Sequence, residues 1–121
     1  MKNVAYMEDD DFDHQGNLVD KIGIPKNYPV VIMIQAGWCP HCQRAKPAFQ
    51  EFAHKFRDVV FCATIETDGQ KPSERKLGER LNVIKPNFRG YPDYVLYLNG
   101  KRIDKEIKGR SVRDLVDFVE I

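Results

Sequence analysis

The sequence is poor in cysteine, with three in 121 residues. That excludes the disulfide-stapled architecture by which small secreted domains compensate for a thin core. Charge of one sign is also lacking: nineteen Lys and Arg stand against eighteen Asp and Glu, a formal +1. Nucleic-acid binding would need a clustered basic excess, so no nucleic-acid partner is expected. No wholly apolar run outlasts Val30-Val31-Ile32-Met33-Ile34, far short of the ~20 residues of a membrane-spanning helix. The N-terminus passes from Lys2 straight into Glu8-Asp9-Asp10-Asp11 with no apolar h-region, and no lipidation or retention motif ends the chain. A reducing, cytoplasmic setting and a monomer without membrane attachment are the resulting expectations. No internal repeat, low-complexity tract or Pro/Gly/Ser-rich linker divides the sequence, so residues 1–121 read as one domain. A chain of this length buries roughly two-thirds of its unfolded surface and needs no metal to hold a core.

What is present is an alternation of strand and helix signals. Residues 4–7 read as a short strand. The acidic stretch 8–13 suits a helix start, where negative charge meets the positive end of the macrodipole. Residues 30–35, β-branched and apolar on both faces, read as a buried strand. From 40 to 56 the spacing of Ala45, Phe49, Phe52 and Phe56 is helical, with Pro47 expected to kink the helix. A second strand is expected over 59–65, a polar surface helix over 73–81, and loop over 82–90. Arg75, Lys76, Glu79 and Arg80 would form its exposed face, with no evident ligand. A strand over 93–98 meets Asn99-Gly100, a two-residue type I′ hairpin signal, and then a partner strand over 102–107. Ser111 would cap a last helix with Val112, Leu115, Val116 and Val119 on its apolar face. The order implies an α/β fold: a central mixed sheet of four to five strands flanked by helices.

The chemistry concentrates in Trp38-Cys39-Pro40-His41-Cys42, at the junction of the buried strand and the first long helix. Cys39 falls at the N-cap and Pro40 at the first helical position, where a missing N–H costs nothing. Unpaired first-turn N–H groups and the helix dipole then favour the Cys39 thiolate, the nucleophilic form. Cys42 lies one turn inside, within reach of an internal disulfide. Cys39 is expected to be solvent-accessible and to attack, and Cys42 to be shielded and to resolve. A zinc half-site is the competing reading of this spacing. Cys62, His14, His41 and His54 form no second ligand pair, however, so no metal is expected. Asp9, Asp11 and Asp13 alternate like a calcium loop. His14 replaces the loop's glycine and Asp20 its bidentate glutamate, so this is a solvated segment. Cys62 reads as a small buried hydrophobe.

Over nearly its whole length the chain resembles thioredoxin-fold proteins. The matching residues are Trp38-Cys39-x-x-Cys42, Pro47 five beyond the second cysteine, Gly90-Tyr91-Pro92 opening a strand, Asn99-Gly100-Lys101 at the hairpin, and Gly109 before the last helix. The resemblance implies a thioredoxin-like fold and a cis Tyr91–Pro92 bond beside Cys39. It also implies a Tyr91 backbone that pairs with an extended substrate segment. Trp38, Tyr91 and Pro92 would then form the docking lip, with Gly109 keeping the backbone accessible.

The departures are as informative. The buried acid that thioredoxins and protein disulfide isomerases carry six residues before the first cysteine is Met33 here, and thioredoxin's partner lysine aligns with Thr64. The central Pro40-His41 dipeptide is similar to that of the bacterial periplasmic disulfide oxidase, whose helical insertion this chain has no room for. The stretch 68–92 runs roughly two helical turns longer than in thioredoxin. The expected function is thiol–disulfide oxidoreductase on protein thiols and disulfides, through a Cys39–Cys42 redox pair with no other cofactor. A recycling reductase or oxidant would be its partner. His41 beside Cys39 and Met33 in place of the acid argue for a couple more oxidising than thioredoxin. A general reductase and a non-catalytic binding adaptor remain the alternatives.

Overall fold

The computed structural model describes residues 1–20 and 23–121. Its centre is β2 (Val30–Gln35), buried along its entire length. The strand is apolar on both faces because both are covered, as parallel strands require. β3 (Phe61–Glu66) lies parallel to β2, and β1 (Ala5–Tyr6) parallel to β3. On the other side β4 (Asp93–Leu98) runs antiparallel to β2, with β5 (Lys101–Ile103) antiparallel to it. The sheet is therefore mixed and five-stranded, in the order β1-β3-β2-β4-β5. Asn99 and Gly100 close the β4–β5 hairpin with φ of 51° and 80°. That is the pair of left-handed residues a type I′ turn demands.

Alternation along β2 assigns its side chains to two cores. Val31 and Met33 face α1 (Pro40–Lys55) and α4 (Val112–Val119), among Phe49, Phe52, Leu115 and Phe118. Val30, Ile32 and Ile34 face the opposite layer, among Phe12, Leu77, Leu81, Ile84 and Tyr97. α1 runs on through Pro47. Ser111 caps α4 as expected, accepting from the Asp114 N–H at 3.0 Å while the Asp114 carboxylate accepts from the Ser111 N–H. This is a reciprocal capping box.

Several sequence expectations are corrected. The acidic stretch forms only one 3₁₀ turn, Asp9–Asp11. The Asp13 carboxylate accepts from the N–H groups of Gln15 and Asn17, and such local bonds compete with helix. β3 starts two residues late because the Val59 and Val60 N–H groups both donate to the Phe56 carbonyl, closing α1. The single polar helix at 73–81 is instead α2 (Pro72–Arg75), a 3₁₀ stretch (Lys76–Arg80) and α3 (Leu81–Ile84), which also takes up part of the expected loop. It is not merely a surface helix: Leu77, Leu81 and Ile84 roof the second core. Arg80 is not a solvated charge either, since its guanidinium binds the Asp9 carboxylate at 3.0 Å.

β5 is shorter than the 102–107 expected, because the following side chains are committed elsewhere. Lys105 Nζ donates to the Phe118 carbonyl at the end of α4 (2.8 Å). Glu106 reaches Lys85, which is only 4% exposed yet charged. Lys85 Nζ contacts the Asp93 carboxylate at 2.6 Å and that of Glu106 at 2.5 Å, and donates to the Tyr94 carbonyl at 3.2 Å. The cluster fixes the start of β4, immediately after Pro92. Lys85→Met leaves the Asp93 carboxylate enclosed without its cation. It is expected to lower stability by about 3 kcal/mol, read as a lower urea midpoint at unchanged m-value. An unshifted midpoint would mean that water satisfies Asp93 in the variant.

Candidate active site

The site is built where β2 ends. Ala36 is buried, and Gly37 turns the chain toward Trp38. The Gly37 N–H donates to both carboxylate oxygens of Asp68, at 2.7 and 2.9 Å. Its carbonyl accepts from Gln43 Nε2 at 3.0 Å. The Cys39 N–H donates to the Ala36 carbonyl at 3.2 Å. The turn before the first cysteine is thus held from both sides. Asp68 opens the stretch to which the sequence assigned no role.

Cys39 is the N-cap of α1, with extended backbone (φ −90°, ψ 111°) and Pro40 in the first turn. Its Sγ accepts from the Cys42 N–H at 3.2 Å. Burial opposes the thiolate, but the donors from Cys42, the His41 N–H and the positive charge of Arg110 outweigh it and lower the Cys39 pKa. For Cys42 the balance reverses. Burial, its hydrogen bond to Cys39 and that residue's charge push the thiol up to about 11, against the Ala36 backbone and Lys46. One sulfur is prepared as a nucleophile and the other held as a thiol, the asymmetry that attack followed by resolution needs.

The expectation of an accessible Cys39 is corrected: the residue is 3% exposed, against 0% for Cys42. Half-buried Tyr91 packs against the cluster of Ala36, Cys39 and Cys42, and the Tyr91 carbonyl accepts from the Cys39 thiol at 3.8 Å. The Tyr91–Pro92 bond is cis. Trp38 is 66% exposed and meets the Tyr91 ring edge-on at 5.3 Å. Phe88 also meets the Tyr91 ring, at 5.2 Å. The Tyr91 hydroxyl accepts from Thr67 Oγ1 at 3.1 Å. Trp38, Tyr91 and Pro92 are therefore brought together, along with Phe88, which sequence reasoning left in a loop.

His41 is placed differently from its expected role. Its Nδ1 accepts from Arg44 Nη2 at 2.7 Å, so the imidazole is turned along the helix and the residue addresses Cys39 through its backbone N–H. Gly109 has a local reason for lacking a side chain, since a Cβ there would collide with the carboxylate of Asp114, the partner of Ser111 in the α4 capping box. Met33 and Thr64 are paired neighbours across β2 and β3. Thr64 Oγ1 donates to the Met33 carbonyl at 2.8 Å and accepts from Gln35 Nε2 at 3.0 Å. Cys62 lies apart in the first core, its thiol raised to about 12 by burial alone. Among the described residues no three His, Cys, Asp or Glu side chains converge as a metal site.

A family model described as Thioredoxin matches residues 3–121. The chain is 39% identical to the "Putative thioredoxin-like protein 453L" of Invertebrate iridescent virus 6, over 98% of this chain and 93% of that one. It is 30% identical to "Thioredoxin Asp f 28" of Aspergillus fumigatus, over 76% of each chain. Among solved structures, a chain from the complex of ferredoxin:thioredoxin reductase with thioredoxin f2 superposes with a TM-score of 0.63 at 20% identity. That match covers 97% of this chain and 92% of the other. With the strand order, the capped cysteine pair and the cis-proline loop in place, these matches show that the chain belongs to the thioredoxin family.

Proposed function

We propose that this thioredoxin-family oxidoreductase exchanges disulfides with protein substrates through Cys39 and Cys42, the disulfide itself being the only redox group. The supporting observation is the sulfur of Cys39 capping α1 at 3.2 Å from the Cys42 N–H. The Cys39 thiolate attacks one sulfur of a substrate disulfide. A mixed disulfide forms, and the other substrate sulfur leaves as a thiolate. Cys42 then loses its proton and attacks the Cys39 sulfur. The Cys39–Cys42 disulfide forms, the second substrate thiolate departs, and two electrons have passed to the substrate. Run backwards, the same steps oxidise a substrate dithiol. Trp38, Tyr91 and Pro92 form the lip on which the substrate segment lies, Trp38 supplying the exposed aromatic surface. Recycling by a dithiol reductase is in keeping with thioredoxin f2, which shares the fold and is known in complex with ferredoxin:thioredoxin reductase.

The oxidising end of the thioredoxin range is the finer reading. Donors on the Cys39 sulfur stabilise the reduced state, and Met33 removes the buried carboxylate whose charge would oppose a nearby thiolate.

Three outcomes follow. The reduced protein should cleave insulin disulfides. Cys39→Ser should abolish turnover, and Cys42→Ser should accumulate the mixed disulfide, seen by mass spectrometry. A folded protein with no turnover would instead be a binding adaptor. In alkylation with iodoacetamide, the Cys39 rate should rise with pH through a midpoint below the ordinary thiol value of 9.0. Cys42 should stay unlabelled until pH approaches about 11. Labelling of Cys42 first would reverse the two roles. Equilibration with glutathione should give a potential less negative than thioredoxin's about −270 mV; a value at or below that would make the protein a thioredoxin-type reductase.

A further inference from the structure

β3 ends in a tight turn from which two adjacent side chains reach two different parts of the site. The Gly69 N–H donates to the Glu66 carbonyl at 3.0 Å, which makes Thr67 and Asp68 the central pair of a β-turn. The turn is held on both flanks. The Thr67 N–H donates to the Gln35 carbonyl at 3.1 Å, adding one bond to the pairing of β2 with β3. On the other flank the Arg75 guanidinium donates to the Gly69 and Gln70 carbonyls, each at 2.8 Å. The two side chains therefore leave a fixed base, at the start of the stretch that the sequence left without a role.

Asp68 reaches the turn that carries Cys39. Both its oxygens accept from the Gly37 N–H, at 2.7 and 2.9 Å, and Gly37 stands two residues before Cys39. A Cβ on Gly37 would lie 3.1 Å from Asp68 Oδ2, so the bare glycine lets the carboxylate come this close. A charged acceptor also makes the bond stronger than a neutral one would be. Thr67 reaches the facing loop, where its Oγ1 donates to the Tyr91 hydroxyl at 3.1 Å. That bond tethers the tip of a ring whose other neighbours are the rings of Trp38 and Phe88. The carbonyl of the same residue accepts from the Cys39 thiol at 3.8 Å. One rigid corner thus ties together the cysteine turn and the aromatic lip.

We propose that Thr67 and Asp68 are positioning residues for the exchange reaction, Asp68 seating the Cys39 turn at the start of α1 and Thr67 setting the Tyr91 ring for the substrate segment. The two act on different steps. Asp68 supports the geometry in which Cys39 Sγ accepts from the Cys42 N–H, so it serves the attacking thiolate. Thr67 serves docking, because a lip ordered beforehand spares the substrate the cost of ordering it. No electron or proton passes through either residue. The proposal rests on the oxidoreductase reading above and deepens it by naming what supports each half of the site.

The test measures three things in each variant: Cys39 alkylation against pH, KM and kcat for insulin reduction, and the urea midpoint. Asp68→Ala should move the Cys39 midpoint up by about half a unit, slowing alkylation below it about threefold. Mere loss of a nearby negative charge would move it down, so the direction separates positioning from charge. Asp68→Asn keeps an acceptor for the Gly37 N–H and should show no rise. Gln43→Met removes the support on the Gly37 carbonyl and should raise the midpoint as Asp68→Ala does. Thr67→Val should raise KM about threefold at unchanged kcat, and Thr67→Ser should restore it. Tyr91→Phe should raise KM by the same factor, with no further rise in the double variant. A Cys39 midpoint unmoved or lowered in Asp68→Ala, or raised as much in Asp68→Asn, overturns the role of Asp68. An unchanged KM in Thr67→Val, or additive effects in the double variant, overturns that of Thr67. Lower urea midpoints with neither readout moved would make both residues structural only. If the unaltered protein reduces no insulin, the oxidoreductase reading fails instead, while the alkylation profile still decides the role of Asp68.

Discussion

The interaction on which the site depends is the capping of α1 by a sulfur atom. The first turn of any helix leaves N–H groups without partners, and here one of them, on Cys42, finds Cys39 Sγ at 3.2 Å. A serine in that position would satisfy the helix equally well and do no redox chemistry. Cysteine turns a structural requirement into an electrostatic one, because the donors that end the helix also favour the thiolate. Everything around the turn keeps that geometry. Asp68 and Gln43 hold Gly37 from opposite sides, β2 anchors the approach, and Lys85 ties the β4 strand that brings Tyr91 and Pro92 over the sulfur pair.

The second cysteine is governed by the opposite physics. It is sealed under α1 against the sheet, and burial holds it as a thiol. A thiol held that way must ionise before it can attack a mixed disulfide on Cys39. Relatives meet that need with a buried charge. This chain has an apolar methionine at the position and a layer of neutral polar groups around it: Thr64, Gln35 and Tyr94.

Outside the site, the same chain spends many polar side chains on holding irregular segments in place. The stretch between β3 and β4 contains little regular helix, but Leu77, Leu81 and Ile84 reach the core. Arg75 donates to the Gly69 and Gln70 carbonyls, and Arg80 to Asp9. Residues 104–108 give up strand pairing while Lys105 and Glu106 bind the end of α4 and Lys85. Such segments cover a sheet edge or face without regular structure, because their backbone groups and charges find partners one by one.

Much was legible in the sequence because it rests on short-range rules. The buried β2 strand, the α1 start at a capping cysteine, the Asn99-Gly100 turn and the Ser111 cap each follow from a few neighbouring residues. The chemistry of Cys39 and Cys42 follows with them. What the sequence alone did not decide was the outcome of contacts between distant residues. The shortened β5 and the buried role of Leu77 depend on partners distant in the sequence. So does the closing of Tyr91 over Cys39. Asp68 and Lys85 are unremarkable letters until the sheet places a glycine N–H and two carboxylates around them. Local propensity and pattern fix which elements form; only packing fixes which polar group is left holding which charge.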